Sequence, residues 1–271
     1  MKNAMEFGSR WVLVTGASSG LGKELAYQLA TQHHANLILV ARRLGHLNVL
    51  KEQLEKEGNI RCHVIAADLS NPADVDRVYQ EVIDIGDVYG VILNAGVTHF
   101  GKHLELDWSG FLNMLATNVT SVARLTSLFT PYLIQKDQGG GVMMVSSMAS
   151  LFPLPYQAAY AGAKAFVTNF SRSLQQELRS ENISITVFLP GGIDTEMTRN
   201  SDLKYFENTI FLQDVNSCAS DALSAMKSRR SYYVPGMVNK SQLFISRFLP
   251  RSLVDFAINR TYRKALMAPK G

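Results

Sequence analysis

The sequence predicts a doubly wound α/β fold: a parallel sheet of about seven strands with helices on both faces, forming a single domain with a C-terminal helical extension. Three observations predict it. Apolar runs of strand length recur along the chain. These runs do not alternate polar with apolar, which marks strands buried on both faces. The stretches between them are long enough to be crossover helices. With 271 residues, 46% of them hydrophobic and 18% charged, the chain can bury a sizeable core without staples, so disordered and fibrous classes are excluded.

The strand candidates are Trp11 to Val14, Leu37 to Val40, His63 to Ala66, Val88 to Leu93, Val142 to Ser146, Ile183 to Leu189 and Tyr232 to Val234. Helices are punctuated between them. Leu21 to Thr31 opens on glycines, and Leu44 to Glu57 carries Leu47, Leu50 and Leu54 at helical spacing before stopping at Gly58. Asp68-Leu69-Ser70-Asn71-Pro72 leads into a helix with proline in its first turn. Two long helical segments follow, Asp107 to Gln135 and Tyr156 to Ser180, divided by Gly139, Gly140 and Gly141. No Pro, Gly or Ser run separates independent halves, and no repeat of about 20 to 50 residues is visible. A single unit is therefore expected over residues 1–236, ending after the last strand candidate, with residues 237–271 as an appended extension.

The first strand runs into Thr15-Gly16-Ala17-Ser18-Ser19-Gly20-Leu21-Gly22 and then a helix. Glycines allow a tight turn and close backbone approach to a pyrophosphate, while the helix N-terminus offers unpaired N–H groups and a partial positive charge. The spacing G-x-x-x-G-x-G differs from the G-x-G-x-x-G fingerprint and from the Walker lysine motif. Alone such a cluster can be only a strand-to-helix turn; its position at the carboxyl end of the first strand, where open α/β sheets bind ligands, favours a Rossmann-type cofactor cradle. The second strand ends in Arg42-Arg43 with no acid to hold ribose hydroxyls, and arginine suits a 2′-phosphate. NADP(H) is thus favoured over NAD(H). The alternative is that both arginines are only a solvated approach to a helix.

Tyr160 and Lys164 stand four residues apart on a helical segment and so share a face. A tyrosine is a poor proton donor-acceptor at neutral pH unless a cation favours its phenolate, and Lys164 could supply that cation. Ser147, 13 residues before the tyrosine at a strand end, could polarise a carbonyl oxygen. Taken alone, such a pair can equally be a surface contact.

Together these residues resemble the short-chain dehydrogenase/reductase family, and the resemblance runs in order over roughly residues 9–235. The family's glycine motif matches Thr15 to Gly22, its N-A-G segment Asn94-Ala95-Gly96, its mid-helix asparagine Asn118, its serine Ser147, and its tyrosine and lysine Tyr160 and Lys164. Its P-G segment matches Pro190-Gly191, with Ile193 and Thr195 following. Leu93 replaces the first asparagine of the usual N-N-A-G. The neighbouring Ser146 is a rival for the serine role, but the spacing to the tyrosine selects Ser147. The resemblance implies hydride transfer between nicotinamide and a carbonyl carbon, with Tyr160 protonating the oxygen, Ser147 hydrogen-bonding it, and Lys164 lowering the tyrosine pKa and gripping the nicotinamide ribose. It implies that Asn118 holds a water linking Lys164 to solvent, and that Asp68 and Leu69 meet the adenine. It also places Asn94 to Gly96 near the adenosine ribose, and Pro190, Gly191, Ile193 and Thr195 beside the carboxamide. Asp68 could instead be a helix cap.

The resemblance implies that Met148 to Tyr156, with Met197, Tyr205, Phe206, Ile210 and Phe211, borders the substrate cleft, although any one of these side chains can equally be plain packing. Its apolar character suggests a hydrophobic carbonyl or alcohol, ketoacyl, steroid-like or xenobiotic, over a sugar. His99 and His103 lack a third ligand, and no metal is expected. Cys62 and Cys218 are read as plain thiols suited to a reducing compartment. With no signal-like start and no run of 18 apolar residues, a cytoplasmic protein is expected, with a membrane-peripheral location as the alternative. That qualification comes from charge. The formal charge of +4 hides ten Lys/Arg against Asp255 alone in residues 226–271, a balance of +9, which leaves 17 basic and 22 acidic residues, −5, before them. Leu253, Val254, Ala257, Ile258, Tyr262 and Ala265 form an apolar stripe with Arg260, Arg263 and Lys264 away from it. The extension could pack as a lid, meet a second subunit, or dock on a membrane or acyl carrier; no motif points to nucleic acid. By the resemblance, the two long helical segments would join a homodimer or homotetramer. The competing readings are a dinucleotide-binding regulator without turnover and a membrane-surface scaffold led by the tail.

Overall fold

The computed structural model describes residues 3–196 and 212–267. Its main sheet has seven parallel strands: β1 (Trp11–Thr15), β2 (Asn36–Ala41), β3 (Cys62–Ala66), β4 (Val88–Leu93), β5 (Gly141–Val145), β6 (Ser184–Phe188) and a short edge strand, β9 (Tyr232–Tyr233). Their order is β3-β2-β1-β4-β5-β6-β9, and a separate pair joins β7 (Gly192–Ile193) to β8 (Leu212–Gln213). Each of the seven expected strands is present, and no end is shifted by more than one residue. Ser146 lies outside β5, although its N–H still donates to the Phe188 carbonyl at 2.8 Å.

Strand side chains alternate between two cores, so both halves of every central strand are apolar. Val12, Val14, Leu37 and Leu39 face one layer, built by α1 (Gly20–Thr31), α2 (Leu44–Gly58) and α7 (Val215–Lys227). Leu13, Ile38, Val40 and Val91 face the other, built by α3 (Pro72–Ile85), α5 (Ser121–Lys136) and α6 (Ala158–Glu177). Each fully buried aliphatic side chain contributes about 1.5–3 kcal/mol, which is why these runs dominate the sequence signal.

Two long segments differ from the expectation of simple helices. Residues 107–135 hold α4 (Trp108–Leu115) and α5, separated by a π-helical turn at Ala116–Thr120. Tyr156 stands before α6 with φ +64, so that helix begins at Ala158. After β9 come α8 (Met237–Ser246) and α9 (Arg251–Met267). The chain turns from β1–β3 back past β1 to β4, which opens a crevice between β1 and β4 at their carboxyl ends, the usual ligand position in such sheets.

Candidate active site

A cleft of about 750 Å³ opens at those carboxyl ends and reaches from the loop after β1 to α8 and α9. At one end, Gly16 and Gly20 have φ +68 and +53, a region that disfavours side chains. A Cβ on Gly16 would lie 2.8 Å from Ala95 Cα, and one on Gly22 would lie 2.2 Å from the Gly16 carbonyl oxygen. Ser19 begins α1 without a side-chain cap, so the first N–H groups of the helix keep their donor capacity toward the cleft. The Thr15 hydroxyl accepts from Asn94 N at 3.0 Å and Ala95 N at 3.1 Å, and Asn94 Nδ2 donates to the Thr15 carbonyl at 3.1 Å. Asn94 therefore ties the β4 end to the glycine loop. This is a backbone cradle that side chains would fill, and it fits a dinucleotide pyrophosphate.

The remaining expected cofactor residues surround the cradle. Ser18, Ser19, Gly20, Leu21, Arg42, Arg43, Asp68, Leu69, Ala95, Gly96, Pro190, Gly191, Ile193 and Thr195 all line the cleft, whereas Gly22 stands behind it as a packing contact. Both arginines are exposed. Arg43 donates to Ser18 Oγ from Nη2 at 3.1 Å and pairs with Glu196 at 3.7 Å, so its guanidinium already leans over the loop. Asp68 is not the helix cap: Asn71 accepts from Ala73 N, and Asp68 instead accepts from Ser70 N and Oγ at 3.0 and 2.8 Å.

At the other end stand Ser147, Tyr160 and Lys164. Geometry separates the two serines: Ser146 Oγ is spent on the Lys164 carbonyl at 2.9 Å and on Thr168 Oγ1 at 2.7 Å, whereas Ser147 Oγ accepts from Ala149 N at 3.1 Å and donates to the Pro190 carbonyl only at 3.4 Å. The Ser147 hydroxyl also lies beside the Tyr160 phenol. Lys164 Nζ sits 5.9 Å from the centre of the Tyr160 ring and donates to the Val145 carbonyl at 2.9 Å. Asn118 is fully buried on the π-turn, with Oδ1 accepting from Val97 N and Nδ2 donating to Val97 O, both at 2.8 Å. Its side chain clamps the segment after β4 with one bond from each amide atom, which leaves one lone pair on Oδ1 and one hydrogen on Nδ2 for a further partner.

Burial sets the protonation pattern. It raises the Tyr160 phenol above its ordinary value, against an opposing contribution from the Ser147 hydroxyl, and lowers Lys164 to about 8. The expectation was a phenol lowered by Lys164. Desolvation of the phenol itself raises it instead, and Lys164, 4% exposed with one neutral partner, is lowered by its own burial. Lys164 also gives a stability signature. Between pH 8 and about 10 the unfolded chain binds more protons at this lysine than the folded one, so its contribution to stability rises with pH across that window. Comparing wild-type with Lys164→Met in denaturant melts cancels the opposing titration of other groups. The wild-type advantage is expected to grow by about 2–3 kcal/mol from pH 8 to 10; a flat difference would contradict it.

Phe152 and Leu154 make an apolar wall, while Leu151 packs behind it with Val187 and Leu189. Met197, Tyr205, Phe206, Ile210 and Phe211 lie outside the described residues. Cys62 and Cys218 are buried free thiols, both raised by desolvation, Cys62 to about 12. Among the described residues no group of three His, Cys, Asp or Glu could hold a metal, and no described helix is long and apolar enough to cross a membrane.

Sequence reasoning missed part of the wall. Gln157, 5% exposed, donates to Thr98 Oγ1 at 3.2 Å and faces the cleft. Asn239 of α8 is 6% exposed and stands so close to Gly191 that a Cβ there would lie 2.5 Å from Asn239 Oδ1. Ile258 and Tyr262 of α9 complete the roof, Tyr262 lying 6.1 Å from Phe100 ring to ring. The apolar stripe signalled Tyr262 as packing; no sequence signal marks Asn239.

A family model described as short chain dehydrogenase matches residues 10–205. The 11-beta-hydroxysteroid dehydrogenase of Pinus massoniana is 36% identical over 268 residues, covering 93% of this chain and 72% of that protein. The very-long-chain 3-oxoacyl-CoA reductase of Neurospora crassa is 32% identical over 203 residues, 73% of this chain, which spans only 60% of that relative's length. Among solved structures, a short-chain dehydrogenase from Sphingobium yanoikuyae in complex with NADPH matches with a TM-score of 0.79 at 24% identity, over 89% of this chain and 96% of the other.

Proposed function

Because this chain belongs to the short-chain dehydrogenase family, we propose that it is an NADP(H)-dependent oxidoreductase interconverting a hydrophobic carbonyl compound and its alcohol. The observation that carries this reading is the placement of Ser147, Tyr160 and Lys164 in a cleft that also contains the glycine cradle and an apolar wall. NADPH, when bound, supplies the hydride. The chain's residues do the rest. The raised phenol keeps Tyr160 protonated at neutral pH, the form that donates a proton to a carbonyl oxygen during reduction. Ser147 can turn its long hydrogen bond from Pro190 to the same oxygen. The Lys164 ammonium, beside the ring, favours the phenolate as it forms and has donors left for a ribose hydroxyl. Phe152, Leu154 and the roof exclude water and select an apolar substrate. The names of the pine and fungal relatives support a steroid-like or fatty-acyl compound.

Preference for NADP(H) rests on Arg42 and Arg43 and on the lack of an acid at the end of β2. A charge-assisted contact to a 2′-phosphate is worth about 1.5–3 kcal/mol. Calorimetry is therefore expected to show NADPH binding at least about tenfold more tightly than NADH, with Arg42→Ala/Arg43→Ala removing most of that difference. Equal affinity for the two cofactors in the wild-type protein would contradict the assignment.

The protein also self-associates in this reading, through the outer faces of α4, α5 and α6. Phe166 is 45% exposed and stacks on Phe170, and Trp108 is 69% exposed. Light scattering is expected to give a dimer or tetramer of the 30.0 kDa chain; a monomer at micromolar concentration would contradict it.

A further inference from the structure

We infer that the outer face of α8 and α9 docks on an anionic lipid surface, and that an apolar substrate enters the cleft from that surface. The inference rests on the hydrophobic substrate proposed above and adds where it comes from. Of the fifteen large apolar side chains exposed among the described residues, nine fall between Met237 and Met267. They are not scattered. Met237 and Phe244 stand seven residues apart on one face of α8, and Phe248, just past the helix end, packs on Phe244 at 5.1 Å ring to ring; their exposures are 77%, 61% and 72%, and Phe256 on α9 is 63% exposed. Solvent is a poor home for such a patch, and its usual partner is a protein or a membrane.

Charge decides between those partners. Six basic residues, Lys240, Arg247, Arg251, Arg260, Arg263 and Lys264, belong to these two helices and the turn between them, with one acid, Asp255, and none of the six forms an ion pair with a described residue. A second copy would bring the same unpaired positive charge against this face, whereas an anionic headgroup layer complements it. Neither helix is a membrane-crossing candidate, so the pair lies on the surface rather than through it. The cleft supplies the third observation. Ile245, Leu249 and Leu253 line it and are at the same time 55%, 45% and 55% exposed. Its mouth therefore opens on the apolar basic face, and a compound dissolved in the lipid could pass to Tyr160 without crossing bulk water.

The test uses the full chain, phosphatidylcholine vesicles with and without phosphatidylserine, and a Phe244→Glu/Phe248→Glu/Phe256→Glu variant, none of whose positions lines the cleft. Wild-type protein is expected to float with the anionic vesicles at low salt and to release at high salt. The variant is expected to lose at least about tenfold in vesicle binding, while keeping its NADPH affinity and melting temperature. Its turnover of a water-soluble ketone is expected to stay unchanged, with turnover of a vesicle-partitioned ketone falling about fivefold or more. Flotation does not depend on turnover, so its failure is separable from failure of the proposed activity. The inference is overturned if the wild-type protein stays with the soluble fraction, if the folded variant binds as well as wild type, or if the variant instead splits an oligomer that covers this face.

Discussion

Tyr160→Phe is expected to lower kcat by about 10²–10⁴-fold on any ketone the enzyme reduces, the usual worth of a positioned general acid. The loss should fall on kcat rather than KM, because the phenol acts as the oxygen takes up charge, while apolar binding comes from the cleft walls. The fold should survive the change. Ser147 Oγ keeps the Ala149 N–H and the Pro190 carbonyl as partners, so removing the phenol oxygen orphans no buried group. NADPH affinity within about threefold of wild type, measured by fluorescence, would accompany the loss. Retained turnover would remove Tyr160 from the chemistry.

Gly22→Ala is expected to be the most damaging small change at the cofactor end. Its Cβ would meet the Gly16 carbonyl oxygen at 2.2 Å and Asn94 Nδ2 at 2.6 Å, and neither can yield cheaply: one is backbone, and the other holds the β4 end to the loop. Overpacking of this kind costs about 1–3 kcal/mol of stability, and the shifted loop should weaken NADPH binding by at least about tenfold. Gly45→Ala is the control, since no atom lies within 4 Å of its Cβ position; in α2 it should be neutral or slightly stabilising. Denaturant melts and calorimetry on both variants check the pair. Equal behaviour of the two would mean that the glycine loop is not the cradle described.

The strands were legible because they are buried on both faces, which leaves unbroken runs such as Leu37 to Val40 that few other structures produce. Tyr160 and Lys164 were legible as neighbours because helical spacing is a local property. What escaped was decided by contacts distant in sequence. Nothing local tells that both polar atoms of Asn118 close on Val97, or that the helix carrying it is broken by a π-turn. Asn94 lines the cleft and also grips Thr15, a contact that sequence does not show because the β1 and β4 ends are adjacent only once the sheet order is known. The rise of the Tyr160 phenol escapes sequence for a similar reason: a cation four residues away is visible in sequence, but the burial that raises the phenol is not. Asn239, far along the chain, meets Gly191 only because α8 folds back over the cleft.

The reaction itself can be traced with NADPH carrying deuterium at the transferable C4 position, offered with a panel of steroid, ketoacyl and aromatic ketones, and mass spectrometry of the products. One deuterium on the carbinol carbon of an apolar product, formed by wild type and not by Tyr160→Phe, is the predicted result. Tight NADPH binding with no label transferred to any member of the panel, or equal transfer by the two proteins, would contradict it.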